Sequence, residues 1–211
     1  MFDVTRYAEA AEEICKAGRF LYDKGWSPAT SSNYSRRLDA EHIAITVSGR
    51  HKGQLGAGDV MVVDLQGRPV QSQAKSSAET LLHTVLYETN PGLGAVLHTH
   101  SVKATVLSRL IRPGEALRLE GYELQKAFAG TVTHQARTII PVFDNTQDIT
   151  ALAEQARAWY DADVSQPGYL IRGHGLYTWG ETMADCLRHV EAFEFLFECE
   201  LETMRVRGCL P

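Results

Sequence analysis

The chain contains Gly94-Ala95-Val96-Leu97-His98-Thr99-His100-Ser101, a run of small and apolar residues that ends in two histidines. The apolar run predicts a buried strand. Side chains two positions apart on a strand point to the same side, with Cα atoms roughly 6.6 Å apart, so His98 and His100 can converge on one ion. A His-x-His pair alone is more often two ordinary surface or hydrogen-bonded histidines, so a second signal is needed.

That second signal is His174, which stands between two glycines at the predicted end of another strand. Flanking glycines remove crowding by Cβ atoms and permit unusual backbone angles, which suits a side chain directed into a cleft. Three histidines with one open coordination position are typical of a catalytic zinc site rather than a structural one. The sequence therefore predicts a metal site at His98, His100 and His174, although imidazole also suits iron, nickel, cobalt or copper.

Loops rich in hydroxyl groups are predicted between the regular elements. Backbone N–H groups, hydroxyls and a lysine are what a phosphate group requires, particularly at the N-terminus of a helix. The candidate phosphate-binding residues are Ser31, Ser32, Asn33, Ser48, Gly49, Lys52, Ser76 and Ser77. The chain has no Gly-x-x-x-x-Gly-Lys-Ser/Thr loop and no dinucleotide-binding fingerprint, which argues against nucleotide chemistry.

Two glutamates are candidate acids or bases. Glu79 is predicted to lie just inside a helix that Ser77 caps, and Glu123 lies in the segment 119–126. Beside a polarised carbonyl group, a carboxylate can transfer protons. Most glutamates are solvated helix residues, however, and the sequence alone brings neither of these to the histidines.

Hydrophobic periodicity predicts an α/β domain. The predicted helices cover residues 5–24, 77–89, a segment that ends near 110, 149–161 and 183–204, and a loop is predicted at 27–35. The predicted strands cover residues 42–47, 60–64, 68–71, 94–98, 138–142, 169–171 and 176–179. Two strand pairs joined by turns indicate a mixed, mainly antiparallel sheet in one domain over residues 1–211.

Composition excludes several classes of protein. The 211 residues are 44% hydrophobic and carry a formal net charge of −5, which argues against a general nucleic-acid binder. No apolar run approaches the roughly 20 residues that cross a bilayer, and the N-terminus lacks the features of a secretory signal. Cysteines 15, 186, 199 and 209 show no Cys-x-x-Cys spacing, which indicates idle thiols in a reducing compartment. We therefore expect a cytoplasmic protein without membrane or nucleic-acid partners.

The order of these motifs resembles that of class II aldolases over nearly the whole chain. The matching motifs are the serine and asparagine loop at 31–35, Ser48-Gly49, Ser76-Ser77 with Glu79, His98-Thr99-His100 and Gly173-His174-Gly175. The resemblance implies a three-layer α/β/α fold, one Zn²⁺ per subunit on the three histidines, and a phosphate held by the serine-rich loops. It also implies a C4-like homotetramer whose active sites lie near subunit boundaries.

Three further segments, 122–126, 141–146 and 172–182, resemble a dehydratase branch of the family. In that branch the carboxylate at the position of Glu123 is the expected acid or base, whereas Glu79 matches the catalytic glutamate of the aldolases. The implied reaction, a step of methionine salvage, removes water from a 1-phosphorylated 2-ketose with a methylthio group at C5 and gives a 2,3-diketone phosphate. Two alternatives remain: an aldolase or 4-epimerase acting on another ketose phosphate, and a non-catalytic, metal-stabilised scaffold.

Overall fold

The computed structural model describes residues 2–162 and 166–208 of the chain. The helices are α1 (Val4–Asp23), α2 (Thr80–Thr89), α3 (Val102–Leu110), α4 (Ile149–Ala162) and α5 (Met183–Val206). The strands are β1 (Asn33–Arg37), β2 (His42–Thr46), β3 (Val60–Asp64), β4 (Ala95–Thr99), β5 (Leu117–Leu119), β6 (Thr138–Ile140), β7 (Val142–Phe143), β8 (Gly168–Ile171) and β9 (Gly175–Gly180). Short 3₁₀ helices cover Lys52–Gln54, Ala57–Asp59 and Glu123–Ala127.

Seven of these strands form one sheet in the order β3-β2-β1-β4-β9-β8-β7. Every neighbouring pair is antiparallel except β7 and β8, which are parallel. Strands β5 and β6 form a separate antiparallel pair. The prediction of a mixed, mainly antiparallel sheet is therefore confirmed.

Helices cover both faces of this sheet because successive residues on each strand face opposite layers. On β2, Ile43 and Ile45 pack with Leu82 of α2 in one core cluster, which also contains residues of α4. Between them, Ala44 packs on the opposite face in a cluster with Ile14 of α1. A third cluster joins α3 and α5 to β8 and β9. The sheet with helices on both faces confirms the layered α/β/α prediction.

The residues at the end of the predicted loop form strand β1, which lies in the interior of the sheet between β2 and β4. Its first and third residues, Asn33 and Ser35, are polar and yet buried. The alternation of apolar and polar residues that marks a half-buried strand is therefore absent. The loop prediction is wrong from residue 33 onward.

Two predicted strands differ from the structure at prolines. Residues 68–71 form no strand: only Pro69 makes a single bridge, to Val63, and Gln71 has a φ of 53°, which ends the extended conformation. The strand predicted at 138–142 is divided at Pro141, so that β6 pairs with β5 whereas β7 joins the main sheet beside β8. Proline has no N–H group to donate to a strand ladder, which accounts for the break at Pro141, whereas the positive φ of Gln71 ends the extended segment after Pro69.

Helix α2 begins later than predicted. Its first residue is Thr80, and Glu79 occupies the N-cap position without a side-chain cap hydrogen bond. The hydroxyl of Ser77 instead accepts from the backbone N–H of Glu79 at 3.2 Å in the preceding turn. The predictions that Ser77 caps the helix and that Glu79 lies inside it are therefore wrong. Since the Glu79 carboxylate has no capping role, it is available for other contacts.

Within the described ranges, none of the helices combines the length and apolar character that a bilayer-spanning segment requires. Cys15, Cys186 and Cys199 are free thiols. Cys209 lies outside the described residues.

Candidate metal centre and active site

Three histidine rings meet at one end of the central strands. His98 lies on β4, His100 follows that strand directly, and His174 lies in the turn between β8 and β9. The Nε2 atom of His98 lies 2.7 Å from Nε2 of His100 and 3.3 Å from Nε2 of His174. All three rings offer a nitrogen within 4.8 Å of the others. The structure thus brings together the three residues predicted as metal ligands.

The close approach of β9 to β4 depends on a glycine in this cluster. A Cβ atom added at Gly175 would lie 2.0 Å from the carbonyl oxygen of Thr99, a distance that no side chain tolerates. The antiparallel register places His98 opposite Tyr177, and the two rings stack with centroids 4.0 Å apart. The sequence around His174 therefore permits the strand contact that positions His98.

Both histidines of the His-x-His pair present neutral rings to the cluster. His98 is fully buried, and its Nδ1–H donates to the Leu176 carbonyl at 3.0 Å, which leaves the Nε2 lone pair facing the other rings. Burial, with a smaller contribution from the neighbouring histidines, holds the pKa of His98 well below its ordinary value. Burial also lowers the pKa of His100 to about 4. Unprotonated imidazoles of this kind suit a bound transition-metal cation.

The Glu79 carboxylate joins the same cluster. Its Oε1 lies 3.2 Å from Nε2 of His174, and its Oε2 lies 3.5 Å from Nε2 of His98. A carboxylate oxygen and the unprotonated nitrogen of His98 are both hydrogen-bond acceptors, so this proximity is unfavourable without a cation among them. The donor set therefore fits a divalent metal ion, and Glu79 lies beside it.

Seven of the eight candidate phosphate-binding residues line a cleft that also contains His100 and Glu79. They are Ser31, Ser32, Asn33, Ser48, Gly49, Lys52 and Ser77. The eighth, Ser76, forms a bridge with Val47 beside the cleft and does not line it. The sequence analysis did not select Thr30 and Thr46, which also line the cleft; the available signal was that Thr30 directly precedes Ser31 and Thr46 lies two positions before Ser48.

Lys52 is the buried cation of this cleft, with 1% of its surface exposed. Its ammonium group donates to the carbonyl oxygens of Arg50 at 2.7 Å and Thr30 at 3.2 Å. An ammonium group has three N–H donors, so one remains for a ligand. Among the described residues no carboxylate forms an ion pair with Lys52, and burial lowers its pKa to about 8. The cleft therefore offers a phosphate group a positive charge that no described carboxylate neutralises.

The structure does not bring Glu123 to the histidine cluster within one chain. Its side chain is 71% exposed, pairs with Lys126 and lies 3.7 Å from Nδ1 of His134. The hydrogen bond from Lys126 is the main reason that its pKa lies below the ordinary value. A role for Glu123 in catalysis therefore remains a prediction.

Sequence reasoning also missed how Asn33 contacts Glu79. The Asn33 amide Nδ2 donates to Oε2 of Glu79 at 2.8 Å, and its Oδ1 accepts from Nε2 of the buried His83. The signal was available only in part, because Asn33 was assigned to a loop and His83 was one polar residue within the helix predicted at 77–89.

The family model of the Class II Aldolase and Adducin N-terminal domain matches residues 12–201, a span that includes all three histidines and Glu79. The chain belongs to this family. Solved structures of family members share the fold: L-fuculose 1-phosphate aldolase has a TM-score of 0.77 at 22% identity and covers 94% of this chain and 87% of its own. The L-fuculose-1-phosphate aldolase from Thermus thermophilus has a TM-score of 0.73 at 23% identity and covers 98% of both chains. At such identities the likeness concerns the fold alone.

Family members with much higher identity are dehydratases. The methylthioribulose-1-phosphate dehydratase of Marinobacter nauticus is 77% identical over 98% of this chain and 100% of its own. The methylthioribulose-1-phosphate dehydratase of Hahella chejuensis is 64% identical over 99% of this chain and 100% of its own. The similarity therefore extends along the whole of both relatives and is not restricted to the metal-binding motifs.

Proposed function

We propose that this protein is a hydro-lyase that converts 5-methylthioribulose 1-phosphate to 5-methylthio-2,3-diketopentyl phosphate in methionine salvage. The observation that carries the proposal is the 77% identity with a methylthioribulose-1-phosphate dehydratase over 98% of the chain. The three-histidine cluster beside a hydroxyl-rich cleft also supports the proposal. The reaction requires a group that makes the C3 proton more acidic and a surface that binds the substrate phosphate.

We further propose that the metal is zinc, with one ion per subunit held by His98, His100 and His174. The buried neutral imidazole of His98, the half-buried neutral imidazole of His100 and a third ring within reach form a donor set that zinc prefers, and three protein ligands leave a position for substrate. Bound there, zinc would supply Lewis-acid polarisation of the substrate carbonyl, which makes the proton at C3 more acidic.

The protein's carboxylates would move the protons. Loss of water breaks the C3–H and C4–O bonds, forms a C3–C4 enol, and ends when that enol takes up a proton at C4 to give the diketone. We propose that Glu123 is the acid that protonates the departing C4 hydroxyl. We propose that Glu79 accepts the proton from C3, and its position beside the histidine cluster supports this role. The cleft walls would hold the phosphate while these transfers occur.

We propose that Glu123 reaches the active site of a neighbouring subunit in a C4-like homotetramer. Its exposed position away from the histidines supports this, since an exposed carboxylate can complete a site across an interface. Helix α3, which follows His100, also exposes an apolar stripe of Val102, Val106 and Leu110 that a second copy could cover. We also propose that residues 1–211 form one domain, because strands between residues 33 and 180 share one sheet.

Incubation of the purified protein with 5-methylthioribulose 1-phosphate, with and without a chelator, tests the function. We expect the diketone's absorbance to appear only when metal is present, because the uncatalysed C3 proton is weakly acidic. Release of a triose phosphate would instead show an aldolase, and inversion at C4 without loss of water would show a 4-epimerase. A protein that loses its fold on metal removal and turns over neither kind of substrate would be a metal-stabilised scaffold.

A second prediction concerns Lys52, which we propose to bind the substrate phosphate with Ser48, Gly49 and Ser77. Because burial lowers the Lys52 pKa to about 8, the ammonium form that attracts phosphate is lost as pH rises through that value. We expect KM to increase above about pH 8, whereas Lys52→Met raises KM mainly below that pH and removes the increase, so that the two proteins converge at high pH. Steady-state kinetics between about pH 6.5 and pH 9.5 measure both effects.

The matched control is Lys103→Met, since Lys103 pairs with Glu198 on the surface and does not line the cleft. Ser77→Ala is expected to raise KM with only a small decrease in melting temperature, because the half-buried Ser77 hydroxyl lies in a turn outside the hydrophobic core clusters. Parental KM values for both Lys52→Met and Ser77→Ala would show that the phosphate binds elsewhere.

A further inference from the structure

A line of buried polar groups leads from the Glu79 carboxylate into the interior of the protein. It starts at Asn33, which donates through Nδ2 to Oε2 of Glu79 at 2.8 Å and to Oγ of Ser77 at 3.3 Å. The amide oxygen of Asn33 contacts Nε2 of His83, a fully buried residue on α2. Asn33 therefore connects a buried histidine to a carboxylate and to a hydroxyl of the cleft.

The line continues on the far side of the His83 ring. Its Nδ1 lies 2.7 Å from Oγ of Ser35, which in turn lies 3.0 Å from the hydroxyl of Tyr87. Ser35, His83 and Tyr87 are each no more than 1% exposed, so water does not compete for these bonds. Five side chains from β1, α2 and the turn before α2 thus form one continuous path.

The direction of every bond on this path follows from its first member. The Asn33 NH₂ group donates to both Glu79 and Ser77, so the group that faces His83 is the amide oxygen. An amide oxygen only accepts, so His83 must carry its proton on Nε2. Its Nδ1 then accepts from the Ser35 hydroxyl, whose oxygen accepts from Tyr87. Burial lowers the pKa of His83 to about 3, which agrees with a neutral ring carrying one proton.

We propose that His83 is a positioning residue that locks the Asn33 amide and thereby orients the Glu79 carboxylate beside the histidine cluster. Without the Nε2–H donor, the buried amide oxygen of Asn33 loses its partner, and the side chain is held only through the bonds of its NH₂ group to Glu79 and Ser77. Glu79 would then leave its position near His98 and His174. The expected effect on turnover rests on the proposed function, whereas the hydrogen-bonding pattern between Glu79 and Tyr87 does not depend on it.

A pair of substitutions separates the two sides of the His83 ring. In His83→Gln, the longer side chain places an amide N–H where Nε2 lies and keeps the donor to Asn33. In His83→Asn, the shorter side chain reaches only the Ser35 side and removes that donor. Supporting contacts around a metal ligand set typically change activity about 10–100-fold, so we expect kcat of His83→Asn to fall by that factor with metal content unchanged. His83→Gln should stay within about threefold of the parent.

One further measurement keeps this test independent of the folding of the variants and of turnover. Long-range ¹⁵N–¹H correlation spectra of the zinc-loaded parent protein report the histidine tautomers directly, and we expect His83 as the neutral Nε2–H form. A neutral Nδ1–H form or an imidazolium would overturn the proposal, as would equal losses of kcat in both variants or a parental kcat in His83→Asn. If His83→Asn does not fold, the spectrum of the parent decides. A parent that does not turn over the methylthio substrate refutes the proposed function and leaves the tautomer result standing.

Discussion

Replacement of His98 by alanine is expected to remove the bound metal and to reduce turnover by about 10³-fold or more, because electrostatic stabilisation of the developing negative charge is lost. His98 is the central member of the cluster, with its Nε2 within 3.3 Å of both other Nε2 atoms. The same outcome is expected for His100→Ala and His174→Ala. Metal analysis of each purified variant, together with circular dichroism, measures ligand loss separately from unfolding.

His42→Ala is the matched control for these variants. His42 bonds to Asp39 through Nδ1 at 2.9 Å and lies on β2, outside the histidine cluster. Its replacement should leave both metal content and turnover at parental levels. Full metal occupancy in any one of the three cluster variants would remove that histidine from the ligand set, whichever metal the protein binds.

The histidine cluster could be predicted because its signals are local. His98 and His100 lie two positions apart at one strand end, and Gly173 and Gly175 flank His174 directly. The apolar strands β4 and β9 were predicted as separate elements. Their pairing with each other brings His174 to the His-x-His pair, and the sequence did not reveal this strand order. The metal site is thus encoded in short motifs that keep their meaning without knowledge of the fold.

The polar support of the site could not be predicted in the same way. Asn33 and His83 are 50 positions apart, and each has a common alternative explanation, a loop residue and a core histidine. Their contact exists only because β1 lies in the middle of the sheet and its polar side chains meet α2, which the polar sequence of β1 concealed. Long-range hydrogen bonds between ordinary residue types leave no periodic pattern in a sequence.

The start of α2 is a second feature that the local sequence did not predict correctly. Ser77 followed by an apolar helix is a common N-cap signature, yet the helix starts at Thr80 and Ser77 faces the cleft. Its hydroxyl accepts from the Asn33 amide and from the Glu79 N–H instead of capping the helix in the usual way. Where a local capping preference and the requirements of a binding site differ, the tertiary contacts of the site determine the structure.

The second large effect is expected from Glu123→Gln. Departure of the C4 hydroxyl requires protonation, and general acid catalysis contributes about 10²–10⁴-fold, so turnover should fall by that factor while the metal stays bound. Glu79→Gln should lose less, because polarisation of the carbonyl already makes the C3 proton acidic and reduces the demand on a base. The matched control is Glu120→Gln, since Glu120 is similarly exposed and pairs with Arg137.

Mixed oligomers test whether Glu123 acts across a subunit boundary. Glu123→Gln keeps the histidine cluster and His98→Ala keeps Glu123, so neither variant has a complete site alone. In tetramers reassembled from equal amounts of the two variants, a complete site needs the histidine cluster of a Glu123→Gln subunit and the Glu123 of a neighbouring His98→Ala subunit. If neighbouring copies combine at random, about a quarter of the sites meet both requirements. We therefore expect turnover to recover to about that fraction of the parental value. Mixed tetramers that remain inactive would place Glu123 in the site of its own subunit. Near-parental turnover of Glu123→Gln itself, beside an inactive Glu79→Gln, would assign the acid role to Glu79 and favour aldolase chemistry.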